Sequence, residues 1–292
     1  MSLMSRLKAS LRLASSQLAG AHLTRFARDR FCSHFVSVMH GAGFRHLNSV
    51  ADIRLRHVKV FLKNRLDAEA SPRTICNQMS HLRNLLRVAG NVQISEQLNV
   101  SNRSLGIPQS TRLGSKVAIN EIELAATLER VTCPNLKAIL GLELALGLRA
   151  MEALRAGPSL LGWQSRISSG EKSIEVVYGT KGGRVRTTHL PDTQRALAAI
   201  KSAMEIIEND KIAPRTTLKK AVCWYRNLMH RLGIQGHRLR YAFARECVEF
   251  YLASGMPTHE VYARVSMDLG HGDRRGRWVK MIYCRQTISE IL

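Results

Sequence analysis

Between Ser71-Pro72 and Gly90, the apolar residues Ile75, Met79, Leu82 and Leu86 recur every three or four positions. That spacing lines one face of a helix. Ser71 supplies an N-cap, Pro72 fits the first turn, and Gly90 is a natural stop. Arg73, Asn77 and His81 form a polar i, i+4, i+8 stripe on the same segment. Residues 26–40 and 53–66 carry a similar amphipathic rhythm. From Asn91 to Lys116 the rhythm stops: the stretch is polar, carries Gly106, Pro108 and Gly114, and predicts a linker with a domain boundary near residue 112. Asn120 and Glu123 then match a capping box, and Pro134 opens a helix expected to reach Leu148.

The period changes between 160 and 191. Ile174, Val176 and Tyr178 alternate with their neighbours, Gly182-Gly183 signals a tight turn, and Val185, Thr187 and His189 alternate on the return. This predicts a β-hairpin with Lys181 at its tip. Helices are expected again from Asp192, near Thr216, and over about 238–253 and 258–267. The pattern therefore predicts a mainly α protein with one small antiparallel sheet, in two domains covering 1–112 and 113–292. No internal repeat or low-complexity tract occurs.

Charge narrows the partners. The 292 residues hold 44 Lys and Arg against 22 Asp and Glu, a formal +22 with a pI near 10.6. Residues 1–112 carry a net +12 and the remainder +10, so both halves attract polyanions. The Arg73, Asn77 and His81 stripe is accordingly a candidate contact with a DNA backbone. The first 28 residues contain no acid. They fit either a basic DNA-contacting arm or, in composition, an organelle transit peptide, and they lack a secretory apolar region. The longest apolar run, Ala138 to Leu148, is too short for a membrane span and is interrupted by Glu143. Six scattered cysteines without a CxxC pair point to a reducing cytoplasm and away from disulfides or structural zinc. His259-Glu260 begins like HExxH, but Ala263 stands where the second histidine would be.

Four segments of the second half set a cation or imidazole beside a structure-fixing residue. They are Gly147-Leu-Arg-Ala-Met-Glu152, Thr180-Lys-Gly-Gly-Arg-Val-Arg186, His237-Arg-Leu-Arg-Tyr241 and Leu269-Gly-His271, followed by Tyr283. In this order they resemble the signature of the tyrosine recombinase and phage integrase family. Its Gly-Leu-Arg-x-x-Glu box is matched by Gly147, Leu148, Arg149 and Glu152. Its hairpin lysine is matched by Lys181, with Arg184 and Arg186 as further basic residues expected to touch DNA. Its His-x-Leu-Arg-His/Tyr box is matched by His237, Leu239, Arg240 and Tyr241, and its Leu-Gly-His box by residues 269–271. The resemblance covers 116–292, and more loosely 15–110, which is similar to the family's helical, SAM-like core-binding domain. One departure stands out: Tyr283 follows His271 by twelve residues rather than about nine, across the Gly/Arg-rich stretch Gly272–Trp278. Lys280 occupies the usual spacing.

The resemblance implies a site-specific recombinase with a C-terminal catalytic domain and a defined division of labour. A phosphodiester repels nucleophiles, so Arg149 and Arg240 would clamp its non-bridging oxygens. Tyr283 would attack phosphorus and form a 3′-phosphotyrosyl bond, with His237 accepting the phenol proton. Lys181 would protonate the departing 5′ oxygen, His271 would bond a phosphate oxygen, and Glu152 would orient the arginines. The scheme requires no metal or cofactor. It implies double-stranded recombination sites as partners, a clamp around the duplex, a homotetramer in the synapse, accessory DNA-bending or directionality proteins, and a bacterial, nucleoid-associated setting. A type IB topoisomerase-like enzyme and a decayed recombinase that only binds DNA are the alternatives. A helix-turn-helix regulator using 238–253 and 258–267 would leave the arginine boxes unexplained.

Overall fold

The computed structural model describes residues 3–99, 102–109 and 118–284. The chain divides into two compact units, Met1–Thr111 and Arg112–Leu292.

The first unit is built from α1 (Leu3–Ser16), α2 (His22–Gly41), α3 (Leu55–Asp67), α4 (Pro72–Val88) and α5 (Val92–Asn99). The expected α4 face is fully buried at Ile75, Met79, Leu82 and Leu86, and the Ser71 hydroxyl accepts the Thr74 N–H at 3.2 Å. Phe31, Phe35 and Phe61 meet at the centre with ring centroids 5.3–5.9 Å apart. The basic N-terminal stretch folds into this core, where Leu7, Leu11 and Ala14 bury α1 and Arg28 donates to the Leu18 carbonyl at 2.9 Å. One expectation is corrected here: the linker does not begin near 91. Ile94 and Leu98 dock α5, Ile107 is buried beyond it, and Arg83 donates to the Leu98 carbonyl and to Asn102 Oδ1, both at 2.8 Å. Polar composition concealed these docked residues. Residues 100–101 and 110–116 of the expected linker lie outside the described residues.

The second unit opens with α6 (Glu121–Arg130) and α7 (Pro134–Ala145). Asn120 accepts the Glu123 N–H at 2.8 Å, while the Glu123 carboxylate pairs with Arg238. Buried residues surround α7 on every side, which accounts for its apolar run. Glu143, within that run, is 2% exposed and accepts the Tyr225 hydroxyl at 2.8 Å; burial pushes its carboxyl up to about 8. Then come α8 (Ala150–Leu154) and α9 (Leu160–Ser168). The latter is helical where the sequence pattern announced a change of period. Trp163 Nε1 donates to the Glu175 carbonyl at 2.8 Å and pins α9 to the sheet.

β1 (Ser173–Val176) and β2 (Arg186–His189) form the antiparallel hairpin, pairing Ile174 with Thr188 and Val176 with Arg186. The turn is longer than a two-residue hairpin loop. Tyr178 and Val185 fall outside the strands and are exposed, and the inward face of β2 is Arg186 and Thr188. The unit closes with α10 (Thr193–Met204), α11 (Leu218–Arg231), α12 (His237–Ala253), α13 (Thr258–Asp268) and α14 (Gly276–Ile282). The Gly/Arg-rich stretch after His271 is thus a 3-10 turn followed by a helix packed on α13. Among the described residues, no helix is long and apolar enough to cross a membrane.

Candidate active site

The turn between α7 and α8 places the first arginine. Gly147 takes φ +58°, and a Cβ there would run into the Phe243 ring of α12, so the position demands glycine on two counts. Gly147→Ala is expected to cost about 2–4 kcal/mol, adding overpacking to left-handed strain. Gly183, also at positive φ but with open space around it, should lose only about 1 kcal/mol on the same change. Thermal unfolding of the two variants checks the difference, and equal losses would contradict it.

Arg149 caps α8, and Glu152 sits in its first turn. The Glu152 carboxylate, 1% exposed, accepts the Arg149 N–H at 2.8 Å, Arg149 Nη1 at 2.6 Å and Arg186 Nη2 at 2.8 Å, with Arg240 Nη1 3.8 Å away. Burial pushes this carboxyl up, but the charge and hydrogen bond of Arg186, with Arg240 and the Arg149 N–H, win and hold it near 2. Arg240, on α12, is 1% exposed and donates to the carbonyls of Gly147 and Leu269. Arg149 Nη2 also reaches Leu269 O, at 3.0 Å. Burial, then the charges of Arg186 and Arg149, lower the Arg240 guanidinium to about 9. Among the described residues, the Nε groups of Arg186 and Arg240 are buried without a hydrogen-bond partner. Three guanidiniums thus share one carboxylate, leaving the cluster about two positive charges in excess.

Tyr283 follows α14 and is 5% exposed. Its ring meets Tyr241 edge-on at 4.4 Å, Trp278 at 5.4 Å, His271 at 5.7 Å and His237 at 6.0 Å. His271 Nε2 stands 3.2 Å from the phenol oxygen. Burial, followed by Arg240, Arg149, Arg275 and Arg186, lowers His271 to about 3, so its imidazole is neutral at physiological pH. The twelve-residue spacing therefore still brings the two together, because the 3-10 turn and α14 fold the extra length back. Lys280 instead stacks over Tyr262 at 5.6 Å.

The structure brings Arg149, Glu152, Arg240, His271, His237 and Tyr283 into one region, and it leaves Lys181 and Arg184 on the exposed hairpin turn. Lys181 makes no hydrogen bond to the cluster among the described residues. Arg186 needs correction as a DNA-facing residue. It is 8% exposed, and it donates to Thr188, the Asp268 carbonyl, the Gly147 carbonyl at 3.2 Å and Glu152. On α4, Arg73 and Asn77 are exposed, but His81 leans against Phe31 at 6.1 Å and is half-buried, which lowers its pKa. Sequence reasoning missed a supporting network. Asp268 accepts the Tyr251 hydroxyl at 2.7 Å and the His189 N–H at 3.1 Å, and Arg264 reaches His189 Nδ1 at 2.8 Å. Aspartate beside Leu-Gly-His was its one visible signal.

This geometry agrees with comparison against known families. A family model described as phage integrase, N-terminal, matches residues 4–95, and one described as integrase matches 106–246. The chain belongs to the phage integrase family of tyrosine recombinases. Membership makes it a site-specific DNA recombinase by class, with DNA recombination sites as its partner. No curated protein matches the chain. Residues 247–292, with His271 and Tyr283, lie beyond both matched spans.

Proposed function

We propose that this chain cuts and rejoins DNA strands through a phosphotyrosyl bond to Tyr283, in the integration or excision of a mobile element in a bacterial cell. One observation carries the reading: three guanidiniums with a single carboxylate lie beside a buried phenol held by a neutral imidazole. A buried excess of positive charge is costly without an anion, and a scissile phosphate supplies one.

In this scheme Arg149, whose side chain is 21% exposed, meets the phosphate first, and Arg240 adds charge from beneath. Tyr283 Oη bonds to phosphorus, the bond to the 5′ oxygen breaks, and the phenol proton passes to His237. The burial and the neighbouring arginines that keep His271 neutral also make it a poor base. It therefore orients the phenol in the free protein and bonds a phosphate oxygen once DNA is present. Lys181 gives the leaving 5′ oxygen its proton when the hairpin turn closes on DNA. A 5′-hydroxyl from another strand then reverses the step, releasing Tyr283. Bond energy is conserved throughout, so the scheme calls for no nucleotide cofactor. Four protomers exchange strands between two sites, and polar and basic residues including Arg73, Asn77 and Arg184 hold the backbone.

The test is a suicide substrate cut from a site selected out of genomic DNA. A covalent adduct supports strand cleavage, and binding without any adduct would sink it in favour of a decayed recombinase. Exchange between two sites separates recombination from topoisomerase-like relaxation. A second expectation concerns Lys181. Lys181→Ala should slow cleavage by about 10²–10⁴-fold, the usual worth of a general acid. A 5′-thio leaving group needs no proton and should restore the rate. Absence of rescue would remove Lys181 from that role.

A further inference from the structure

Arg186 lies five residues beyond Lys181, yet β2 turns it inward and spends its guanidinium on two other segments of the chain. It meets Glu152 at 2.8 Å and Gly147 O at 3.2 Å on the α7–α8 side, and the Asp268 carbonyl at the end of α13. Thr188 Oγ1 donates to that same carbonyl at 3.0 Å, and the next N–H, of His189, donates to the Asp268 carboxylate. Gly270 closes the arrangement. A Cβ there would meet Arg186 Cδ at 2.5 Å, so the Leu-Gly-His glycine makes room for this side chain.

We infer that Arg186 is a positioning residue that braces the hairpin against the two segments holding Arg149, Arg240 and His271. This rests on the proposed strand-cleavage reading. The residue joins the strand that follows the Lys181 turn to the carbonyls of Gly147, where Arg240 also binds, and of Asp268, next to the Leu269 carbonyl shared by Arg149 and Arg240. A planar fork is needed to reach Glu152 and two carbonyls together, which one ammonium cannot do. Its charge is likewise committed to Glu152 within a cluster that holds Arg149, Arg240 and, on α7, the buried Glu143.

Two experiments on the full chain test this. The first compares Arg186→Met, Arg186→Lys and Arg184→Ala on one site. Both Arg186 variants should cut at least about 100-fold more slowly at saturating protein, with Kd changed less than about threefold. Arg184→Ala should weaken binding with a shallower salt slope, as loss of one phosphate contact does. An Arg186 variant that keeps its saturated rate and loses affinity and salt slope like Arg184→Ala would overturn the inference, as would full rescue by lysine.

The second is a thermal unfolding cycle with Glu152→Gln, which needs no catalysis and decides the matter even if the wild type forms no adduct. Arg186→Met should lower Tm in the wild type yet raise it in the Glu152→Gln background, where three guanidiniums would otherwise face one another. Equal losses in both backgrounds would show that Arg186 is not bound up with Glu152 and would overturn the inference.

Discussion

Tyr283→Phe should abolish every covalent protein–DNA adduct while leaving site affinity at a given salt unchanged. Tyr283 is the sole tyrosine after the Leu-Gly-His box, and its oxygen stands 3.2 Å from His271 Nε2. Phenylalanine keeps the ring that packs against Tyr241 and Trp278 and removes only that oxygen. The fold should therefore lose about 1 kcal/mol or less, the usual worth of one hydrogen bond. Denaturing gels of nicked substrate, read beside binding isotherms, check both halves of the expectation. An adduct formed by the Phe variant would require a different nucleophile.

Arg149→Ala and Arg240→Ala should each slow cleavage by about 10²–10³-fold or more, because loss of one preorganised donor to a developing charge costs about 3–4 kcal/mol. Their structural consequences should differ. Arg149 is partly exposed and Glu152 keeps its bond to Arg186 without it, so its removal should lower Tm by less than the loss of Arg240 does. Arg240 is buried and ties Gly147 to Leu269, so its alanine variant should also unfold earlier. Single-turnover rates at saturating protein, paired with thermal scans, separate the two. A saturated rate within about threefold of wild type for Arg149→Ala would rule out its clamp role, since a lost transition-state donor costs far more than that.

Much of this molecule follows from the order of residues in the chain. The α4 face, the caps at Asn120 and Asp192, the hairpin pairing and the late helices are set by local periodicity and turn chemistry, which act within a few residues and need no tertiary context. The ordered boxes at 147–152, 237–241 and 269–271 likewise carry their residue types in plain view.

Tertiary packing decided the rest. Basic composition marks residues 1–28 as a candidate DNA arm, yet Leu7, Leu11 and Ala14 are enough to dock α1 once a core exists to receive them. Polar composition likewise concealed α5. The orientation of β2 depends on how many residues the turn consumes, and a shift of one reverses every side chain, so Arg186 reads as a DNA contact until the register with Val176 turns it inward. The distance from His271 to Tyr283 was equally hidden. Twelve residues of chain set only an upper limit on separation, and the packing of α14 on α13 is what closes it to a hydrogen bond. Sequence therefore determined which chemical groups this protein possesses, because side-chain identity and local propensity are written residue by residue. Their convergence on one carboxylate was decided by long-range packing, which joins positions as much as 120 residues apart in the contact between Arg149 and Leu269.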